Sequence, residues 1–338
     1  MEENLLSTKI DFASEPNKPM LSVMMITYNH EKYIGQAIKS ILQQTTDFEF
    51  EIVIGEDCST DKTRSIICEI ALEYPDKFKL MLHDKNLGMM QNFFTIIAAC
   101  RGKYVAICEG DDYWIDNGKL QKQVNFLEQN PDVSICCHNV FTEEEDGNRA
   151  VLWEWKEMQR FSLYDLAKGN FISTPSVVFR RTPFSILPEK YLQAPLGDFI
   201  LHLFNARAGD ICYMPDIMAV YRIHSGGVWT TRKSDIDKQI NLYTKYLHTN
   251  QMLLEDFSDI RICRISFSKG TSESLNQLRI LSAKKGRIKE SKQFARKLIH
   301  HMMSFGLVNA RVLISCVQNL YFFKRFERNI YLHEKGSE

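Results

Sequence analysis

The sequence YVAICEGDDYW, residues 104–114, joins a short apolar run to a cluster of acidic residues. The run has the composition of a buried strand, and three carboxylates follow it, those of Glu109, Asp111 and Asp112. Carboxylates this close repel one another unless a positive charge neutralises them. Because Mg²⁺ and Mn²⁺ prefer oxygen ligands, the cluster predicts a divalent cation at the end of a strand. The alternative is a solvated turn in which Asp112 or Asp116 caps the next helix.

Three strand-and-helix segments precede this stretch. Apolar strand patterns at 21–26, 51–54 and 78–82 are each followed by a polar turn and then by apolar residues at helical spacing. This alternation predicts an α/β fold, a mostly parallel sheet with helices on both faces. Ligands of such sheets bind beyond the carboxyl ends of the strands. The polar turns 27–30, 56–61, 86–88 and 109–112 are therefore expected to meet at one edge.

The second of these turns, GEDCSTDKT at 55–63, has two interpretations. Ser59, Thr60 or Asp61 can cap the helix that follows. Capping by these later residues would leave Asp57, nearer the strand, to accept a hydrogen bond from a ligand such as a nucleobase.

The turns resemble the ordered motifs of glycosyltransferase family 2, inverting enzymes with the Rossmann-like GT-A fold. The motifs are MMITYNHEKYIGQAIKSILQQ (24–44), GEDCSTDKT (55–63), NLGMMQNF (86–93) and CEGDDYW (108–114). The resemblance covers residues 21–140 well and extends more thinly to residue 229. It implies an enzyme of the bacterial cell-surface polysaccharide type. Such an enzyme moves a sugar from a nucleoside diphosphate sugar, UDP-linked by preference, to a hydroxyl of a glycan or lipid-linked saccharide.

The resemblance also implies roles for individual residues. Asp111 stands at the second aspartate of the family's Asp-x-Asp motif and is the implied ligand of Mn²⁺ or Mg²⁺. Glu109 stands where the family usually has aspartate, and its longer side chain leaves direct or water-mediated coordination open. The residues implied to bind the nucleotide-sugar are Thr27, Tyr28, Asn29, Glu56, Asp57, Asn86, Asn92, Asp111 and Asp112.

Two further candidates lie in the second half of the domain. Asp198, in PLGDFI, opens a predicted helix at the place of the family's general base, and its alternative role is that of an N-cap. His224 follows a predicted strand in VYRIHSGGVW. In related transferases a histidine of this kind closes over the pyrophosphate, so His224 is implied to reach the metal, as a ligand, or the diphosphate. Arg222 is a further candidate for contact with the diphosphate. The alternative for His224 is a structural histidine.

Trp153 and Trp155 alternate along a predicted edge strand or flap at 151–155, so both rings face the same side. They can stack on a sugar acceptor or serve as apolar cover for the sheet, and the pattern does not choose between these roles.

The predicted domains are a tail at 1–20, a GT-A domain at 21–230 and a basic, helical C-terminal extension at 231–338. Within the GT-A domain, 21–140 form the nucleotide-sugar half and 141–230 the acceptor half. Although the whole chain has 42 basic and 42 acidic residues, residues 231–338 hold 20 Lys and Arg against 10 Asp and Glu. This asymmetry predicts an anionic partner, and the dispersed basic residues favour membrane headgroups or a lipid-phosphate substrate over nucleic acid.

The N-terminus and the cysteines indicate where the protein is located. The N-terminus has no secretory signal pattern, and the nine cysteines contain no CxxC pair, which favours reduced thiols and a cytoplasmic protein. An apolar stretch at 304–323 predicts either a helix packed on its neighbours or a helix lying on the inner face of the membrane. Two other functions remain open: a nucleotidyltransferase acting on a sugar phosphate, or a carbohydrate-binding protein without catalysis. The first usually has a Gly-rich basic loop after the first strand, which TYNHEKYIG does not provide.

Overall fold

A computed structural model describes residues 18–225 and 235–306, together with Cys316. The chain divides into two units. The first holds the described residues of Met1–Leu192 and Leu196–Ser225, and the second holds those of Gln193–Pro195 and Gly226–Glu338. Residues 1–17 of the predicted tail and almost all of the predicted helix beyond residue 306 lie outside the described residues. The predicted division of the GT-A domain at residue 140 stays a prediction.

The first unit is built on a ten-stranded mixed sheet. Its strand order is β3-β2-β1-β4-β9-β6-β10-β5, with β7 beside β6 and β8 beside β10. The strands are β1 (Leu21–Thr27), β2 (Phe50–Glu56), β3 (Phe78–Leu82), β4 (Tyr104–Ile107), β5 (Tyr113–Trp114), β6 (Val133–Glu144), β7 (Arg149–Val151), β8 (Gln159–Phe161), β9 (Val178–Arg180) and β10 (Asp210–Ile223). The longest pairings are parallel: β2 with β3, β1 with β2 and β4, and β6 with β10. The short strands β5, β7, β8 and β9 pair antiparallel.

Helices cover both faces of this sheet. They are α1 (Ile34–Leu42), α2 (Thr63–Glu73), α3 (Met89–Ala99), α4 (Lys119–Gln129), α5 (Leu163–Leu166) and α6 (Gly197–Asn205). On β2, Ile52 and Ile54 share one core with residues of α1 and α2. Gly55 points the other way, and a Cβ there would lie 2.5 Å from Ile96 Cγ1 of α3. Adjacent β2 residues thus face different helices, and the predicted α/β class is confirmed.

The acceptor half departs from the predicted elements. The sequence pattern predicts a short helix at 161–168 and a strand at 174–180. The structure has the end of β8 followed by the single turn α5 in the first range, and the 3-10 turn Thr174–Ser176 ahead of β9 in the second. Pro175 lies within that turn and has no N–H for a strand pairing, which explains the late start of β9 at Val178. Two more 3-10 turns span Pro183–Ser185 and Glu189–Gln193.

The second unit contains α7 (Ile236–Asp256), α8 (Arg261–Lys284) and α9 (Ile288–Ser304). Its apolar core includes Leu247, Leu278 and Leu298, one from each helix. The predicted helical extension is confirmed over the residues described. Among these same residues, none of the helices has the length and apolar character needed to cross a bilayer.

Candidate active site

The parallel register brings the polar turns to one edge of the sheet. Thr27 at the end of β1 pairs with Glu56 at the end of β2, and the turn after β4 stays beside β1 because Gly110 N donates to Ile26 O at 3.1 Å. A Cβ on Gly110 would lie 2.5 Å from Thr27 Oγ1 and 2.9 Å from His30 Nδ1. Only glycine allows this approach, so Gly110 fixes the position of the acidic cluster.

The first two turns are joined by hydrogen bonds. Asn29, whose φ is 56°, donates its N–H to Ser59 Oγ at 3.0 Å, and its Oδ1 accepts from Thr60 N at 2.8 Å. The N-cap of α2 is Lys62, not one of the predicted residues, although Asp61, one residue earlier, accepts from Thr63 N. Glu56 is fully buried, accepts from Ser59 N at 2.6 Å and forms an ion pair with Arg64. Asn29 and Glu56 therefore shape the turn, and their predicted contact with the nucleotide-sugar stays a prediction.

Asp57, Asn86 and Asn92 form hydrogen bonds that connect the end of β2 with residues 86–92. The two carboxylate oxygens of Asp57 accept from Leu87 N at 2.7 Å and Gly88 N at 2.9 Å, and Asn86 Nδ2 donates to the Asp57 carbonyl oxygen. Asn92 Nδ2 donates to Gly55 O at 2.8 Å. Asp57 is buried, and the predicted hydrogen bond to it from a base stays a prediction. Its anchoring role was not anticipated from the sequence.

The three carboxylates after β4 converge. Glu109, Asp111 and Asp112 each offer one oxygen within 4.8 Å of the others. Asp111 Oδ1 and Asp112 Oδ2 are buried and have no hydrogen-bond partner in 18–225, 235–306 or Cys316. Burial, followed by the charges of neighbouring carboxylates, raises the pKa values of Glu109 and Asp112 well above the usual range. Buried acceptors without partners are costly, and a hard cation that takes oxygen ligands would relieve that cost. These carboxylate oxygens therefore fit Mn²⁺ or Mg²⁺ as ligands.

Strand β10 and the residue that follows it bring the side chains of Arg222 and His224 to this cluster. Its pairing with β5 places Val220 opposite Tyr113, so the end of β10 runs past the acidic turn. His224 Nε2 lies 2.9 Å from Asp111 Oδ2. Burial alone would raise the pKa of Asp111, but the contact with His224 and the nearby His30 outweigh it and lower that pKa.

Arg222 fixes the backbone of the acidic turn. Its N–H donates to Asp112 Oδ1 at 2.9 Å, and its Nη1 donates to the Asp111 carbonyl oxygen at 2.6 Å. The guanidinium lies 4.3 Å from the centre of the Tyr113 ring and 4.9 Å from that of Tyr33. These contacts make Arg222 a positioning residue for Asp111 and Asp112.

Asp198 is the second residue of α6, and Leu196 holds the N-cap position. Asn170 Nδ2 donates to Asp198 Oδ2 at 3.3 Å, and Thr174 Oγ1 lies 3.5 Å from the same oxygen. Burial raises the pKa of Asp198 despite these hydrogen bonds. The charge of Asp198 in turn contributes to the raised pKa of Glu109, so the two carboxylates interact. Asp198 therefore stands near the acidic cluster rather than serving as the N-cap.

Sequence reasoning missed two residues of this site. His30 Nε2 lies 3.8 Å from Asp111 Oδ2, and the phenol of Tyr221 has its pKa raised by burial and by the charges of Asp112 and Glu109. Both belong to motifs named above, but a linear pattern does not show which way a side chain points.

Trp153 and Trp155 lie beyond the end of β7, and their rings stack on each other with centroids 4.9 Å apart. Trp155 also contacts the rings of Phe161, Phe171 and Tyr213. This arrangement favours the apolar-cover interpretation for Trp155.

Residues 22–189 match the model of glycosyl transferase family 2. The chain is 37% identical over 245 residues to an uncharacterised glycosyltransferase of Methanocaldococcus jannaschii, an alignment that covers 69% of this chain and 79% of that protein. The chain belongs to glycosyl transferase family 2. It is also 40% identical over 217 residues to an uncharacterised protein of Mycobacterium tuberculosis, covering 64% of this chain. The matched region spans 62% of that mycobacterial protein's length.

Solved structures of other proteins share this family-2 chain's fold. S. aureus TarS 1–349, in complex with UDP-GlcNAc, has a TM-score of 0.56 and 19% identity, and the match covers 86% of this chain and 82% of TarS 1–349. The mannosyltransferase PcManGT of Pyrobaculum calidifontis, in complex with GDP-Man and Mn²⁺, has a TM-score of 0.50 and 15% identity, covering 95% and 92%. Identities this low establish the fold alone, and the predicted GT-A fold is confirmed.

Proposed function

We propose that this chain is a metal-dependent inverting glycosyltransferase. It moves a sugar from a nucleoside diphosphate sugar, UDP-linked by preference, to a hydroxyl of a glycan or lipid-linked saccharide. The observation that carries the proposal is the pair of buried oxygens on Asp111 and Asp112 that lack hydrogen-bond partners among the described residues. They lie where the strand-end turns meet, and they fit a cation that arrives with an anionic diphosphate. Family membership supports the same reaction class.

Asp198 is the general base in this proposal. Its carboxylate removes the proton from the acceptor hydroxyl while the hydroxyl oxygen attacks the anomeric carbon and the bond to the diphosphate breaks. One displacement of this kind inverts the anomeric configuration. Burial raises the pKa of Asp198 towards the working pH, which improves a carboxylate as a base, and Asn170 and Thr174 hold its Oδ2 in place.

The acidic turn binds the diphosphate end of the donor. Asp111, with Glu109 or His224 assisting, would hold a divalent cation, whose positive charge would stabilise the departing nucleoside diphosphate. Arg222 keeps Asp111 and Asp112 in position through its two hydrogen bonds to that turn.

The turns after β1, β2 and β3 bind the nucleoside. Tyr28 is 43% exposed, so its ring is accessible for stacking on a base. The hydrogen bonds within these turns hold them in one arrangement, which lowers the entropy cost of binding. We assign Thr27, Tyr28, Asn29, Glu56, Asp57, Asn86 and Asn92 to this part of the donor. Two proteins of the same fold were solved with UDP-GlcNAc and with GDP-Man, which supports a nucleotide-sugar as ligand.

The charge of the C-terminal residues bears on the acceptor and on the location of the protein. The net positive charge of residues 231–338 supports an acceptor at an anionic lipid surface, and with it a cytoplasmic protein bound to the inner face of the membrane.

A donor panel tests the proposal. Purified chain is incubated with a set of UDP-, GDP- and dTDP-sugars and Mn²⁺, and the released nucleoside diphosphate is measured. We expect one donor to be consumed, and we expect Asp111→Ala to abolish the release. If no donor is bound or hydrolysed, and Asp111→Ala behaves as the parent chain does, the proposal is wrong.

A further inference from the structure

His30 has a position beside the carboxylate cluster that the proposed reaction has not used. Its Nε2 lies 3.8 Å from Asp111 Oδ2, the oxygen that His224 Nε2 approaches to 2.9 Å. The two imidazole rings stand nearly perpendicular, at 85°, with centroids 6.1 Å apart. Two imidazoles from opposite ends of the domain sequence therefore approach one carboxylate oxygen.

We propose that His30 is a second imidazole ligand of the cation at Asp111, and that the site consequently prefers Mn²⁺ to Mg²⁺. This inference rests on the proposed function, because it concerns the cofactor of the same site. It assigns to His30 a role in cation choice, separate from the oxygen ligands of the acidic turn.

The ligand atoms already lie close to coordination distance. His30, Asp111 and His224 each offer one ligand atom, and these atoms lie within 4.8 Å of one another. Neighbouring ligands of an octahedral ion with bonds of about 2.1 Å lie about 3 Å apart. The contact between His224 and Asp111 has that spacing, and His30 is about 1 Å beyond it.

A second contact orients the ring of His30. Thr27 Oγ1 lies 3.2 Å from Nδ1, so a neutral imidazole can donate its Nδ1–H to this hydroxyl and direct the lone pair of Nε2 towards Asp111. Ligating histidines commonly have their other nitrogen held in this way. Gly110 lies against both Thr27 and His30 and leaves room for this arrangement.

The ligand set decides which ion is preferred. Mg²⁺ keeps oxygen ligands and several waters, whereas imidazole nitrogen suits first-row transition ions. Two imidazoles and a carboxylate therefore favour Mn²⁺, while Glu109, Asp111 and Asp112 alone would accept either ion. Removing His30 should reduce the affinity for Mn²⁺ more than that for Mg²⁺.

Counting coordinated nitrogens tests the inference directly. The full chain, labelled with ¹⁵N-histidine, is loaded with MnCl₂ together with UDP, GDP or dTDP and examined by electron–nuclear double resonance. We expect two imidazole nitrogens on bound Mn²⁺ in the parent chain and one in His30→Gln. Bound Mn²⁺ with a single nitrogen in the parent chain overturns the inference and leaves the proposed function standing. Absence of Mn²⁺ binding with every one of these nucleotides overturns both, so the two failures are distinguishable.

A competition titration gives an independent measure. The affinities for Mn²⁺ and Mg²⁺ are compared for the parent chain, His30→Gln and the control His83→Gln, whose imidazole contacts Asn92 instead. We expect His30→Gln to lose about 10- to 100-fold in Mn²⁺ affinity, with a smaller change for Mg²⁺, and His83→Gln to match the parent. Equal losses for both ions in His30→Gln would contradict the inference. The nitrogen count in the parent chain needs no variant, so it decides the question even if His30→Gln folds poorly.

Discussion

Asp198 is the residue on which the proposed chemistry depends most, and its isosteric amide separates catalysis from binding. Asn in place of Asp198 keeps the shape and the contacts with Asn170 and Thr174 but cannot take a proton. We expect Asp198→Asn to lower kcat by about 10²- to 10⁴-fold, the range for loss of a general base. The dissociation constant of the donor, measured by calorimetry, should stay unchanged. Transfer at the parent rate would remove Asp198 from the mechanism.

The raised pKa of Asp198 predicts a pH dependence. Burial keeps this carboxyl protonated at pH values where a free one, with a pKa of 3.8, is charged. Because the base must be charged, kcat should fall as the pH drops through the raised pKa and level off above it. The parent chain should show this acidic limb in a plot of kcat against pH. A profile without a limb above pH 3.8 would contradict the assignment.

The same shift predicts an effect on stability. A carboxyl whose folded-state pKa is raised stabilises the fold at low pH, and that contribution is lost as the pH rises through the raised pKa. Asp198→Asn has no such charge to bury at neutral pH. We expect its Tm at neutral pH to equal or exceed that of the parent, and to differ less at acidic pH. A Tm well below that of the parent at neutral pH would mean that Asp198 holds the fold together.

At the scale of elements, the close approach of the β4 turn to β1 is the feature most open to test. A Cβ at Gly110 would lie 2.5 Å from Thr27 Oγ1, so Gly110→Ala must push the acidic turn away from β1. We expect a loss of about 1–3 kcal/mol in the free energy of unfolding and a loss of Mn²⁺ binding. Gly169→Ala is the matched control, since nothing lies within 4 Å of its added Cβ. Equal behaviour of the two variants would show that the approach is not needed.

The elements also show what a sequence can predict. The predicted strands at 21–26 and 51–54 lie within β1 and β2, which are buried throughout, because burial on a covered sheet leaves a local signal. The short strands β5 and β8 were missed, since each is defined by a partner far away in the chain. His224 was named as a candidate from its turn, but its contact with Asp111 depends on how β10 pairs with β5 and β6. His30 and Tyr221 were missed for the same reason, because side-chain direction at a strand end is set by tertiary contacts.

At the scale of the whole molecule, the charge asymmetry predicts binding to anionic membranes. In the second unit, the exposed basic residues include Lys284, Lys289, Arg296 and Lys297. Each basic side chain near an anionic surface contributes about 1 kcal/mol, and salt weakens that attraction. We expect the chain to sediment with phosphatidylglycerol vesicles at low salt but not with phosphatidylcholine vesicles. The triple variant Lys289→Glu, Arg296→Glu, Lys297→Glu should bind less. Binding that ignores salt and lipid charge would contradict the prediction.

The proposed reaction is a single displacement at the anomeric carbon, with Asp198 activating the acceptor oxygen. Water can replace the acceptor when a donor is hydrolysed, so the configuration of the first sugar released reports the mechanism directly. Proton NMR, recorded early in the hydrolysis of an α-linked nucleotide-sugar and before the anomers equilibrate, measures it. We expect the β-anomer to appear first and Asp198→Asn to suppress it. Release of the α-anomer first would contradict a single inverting displacement.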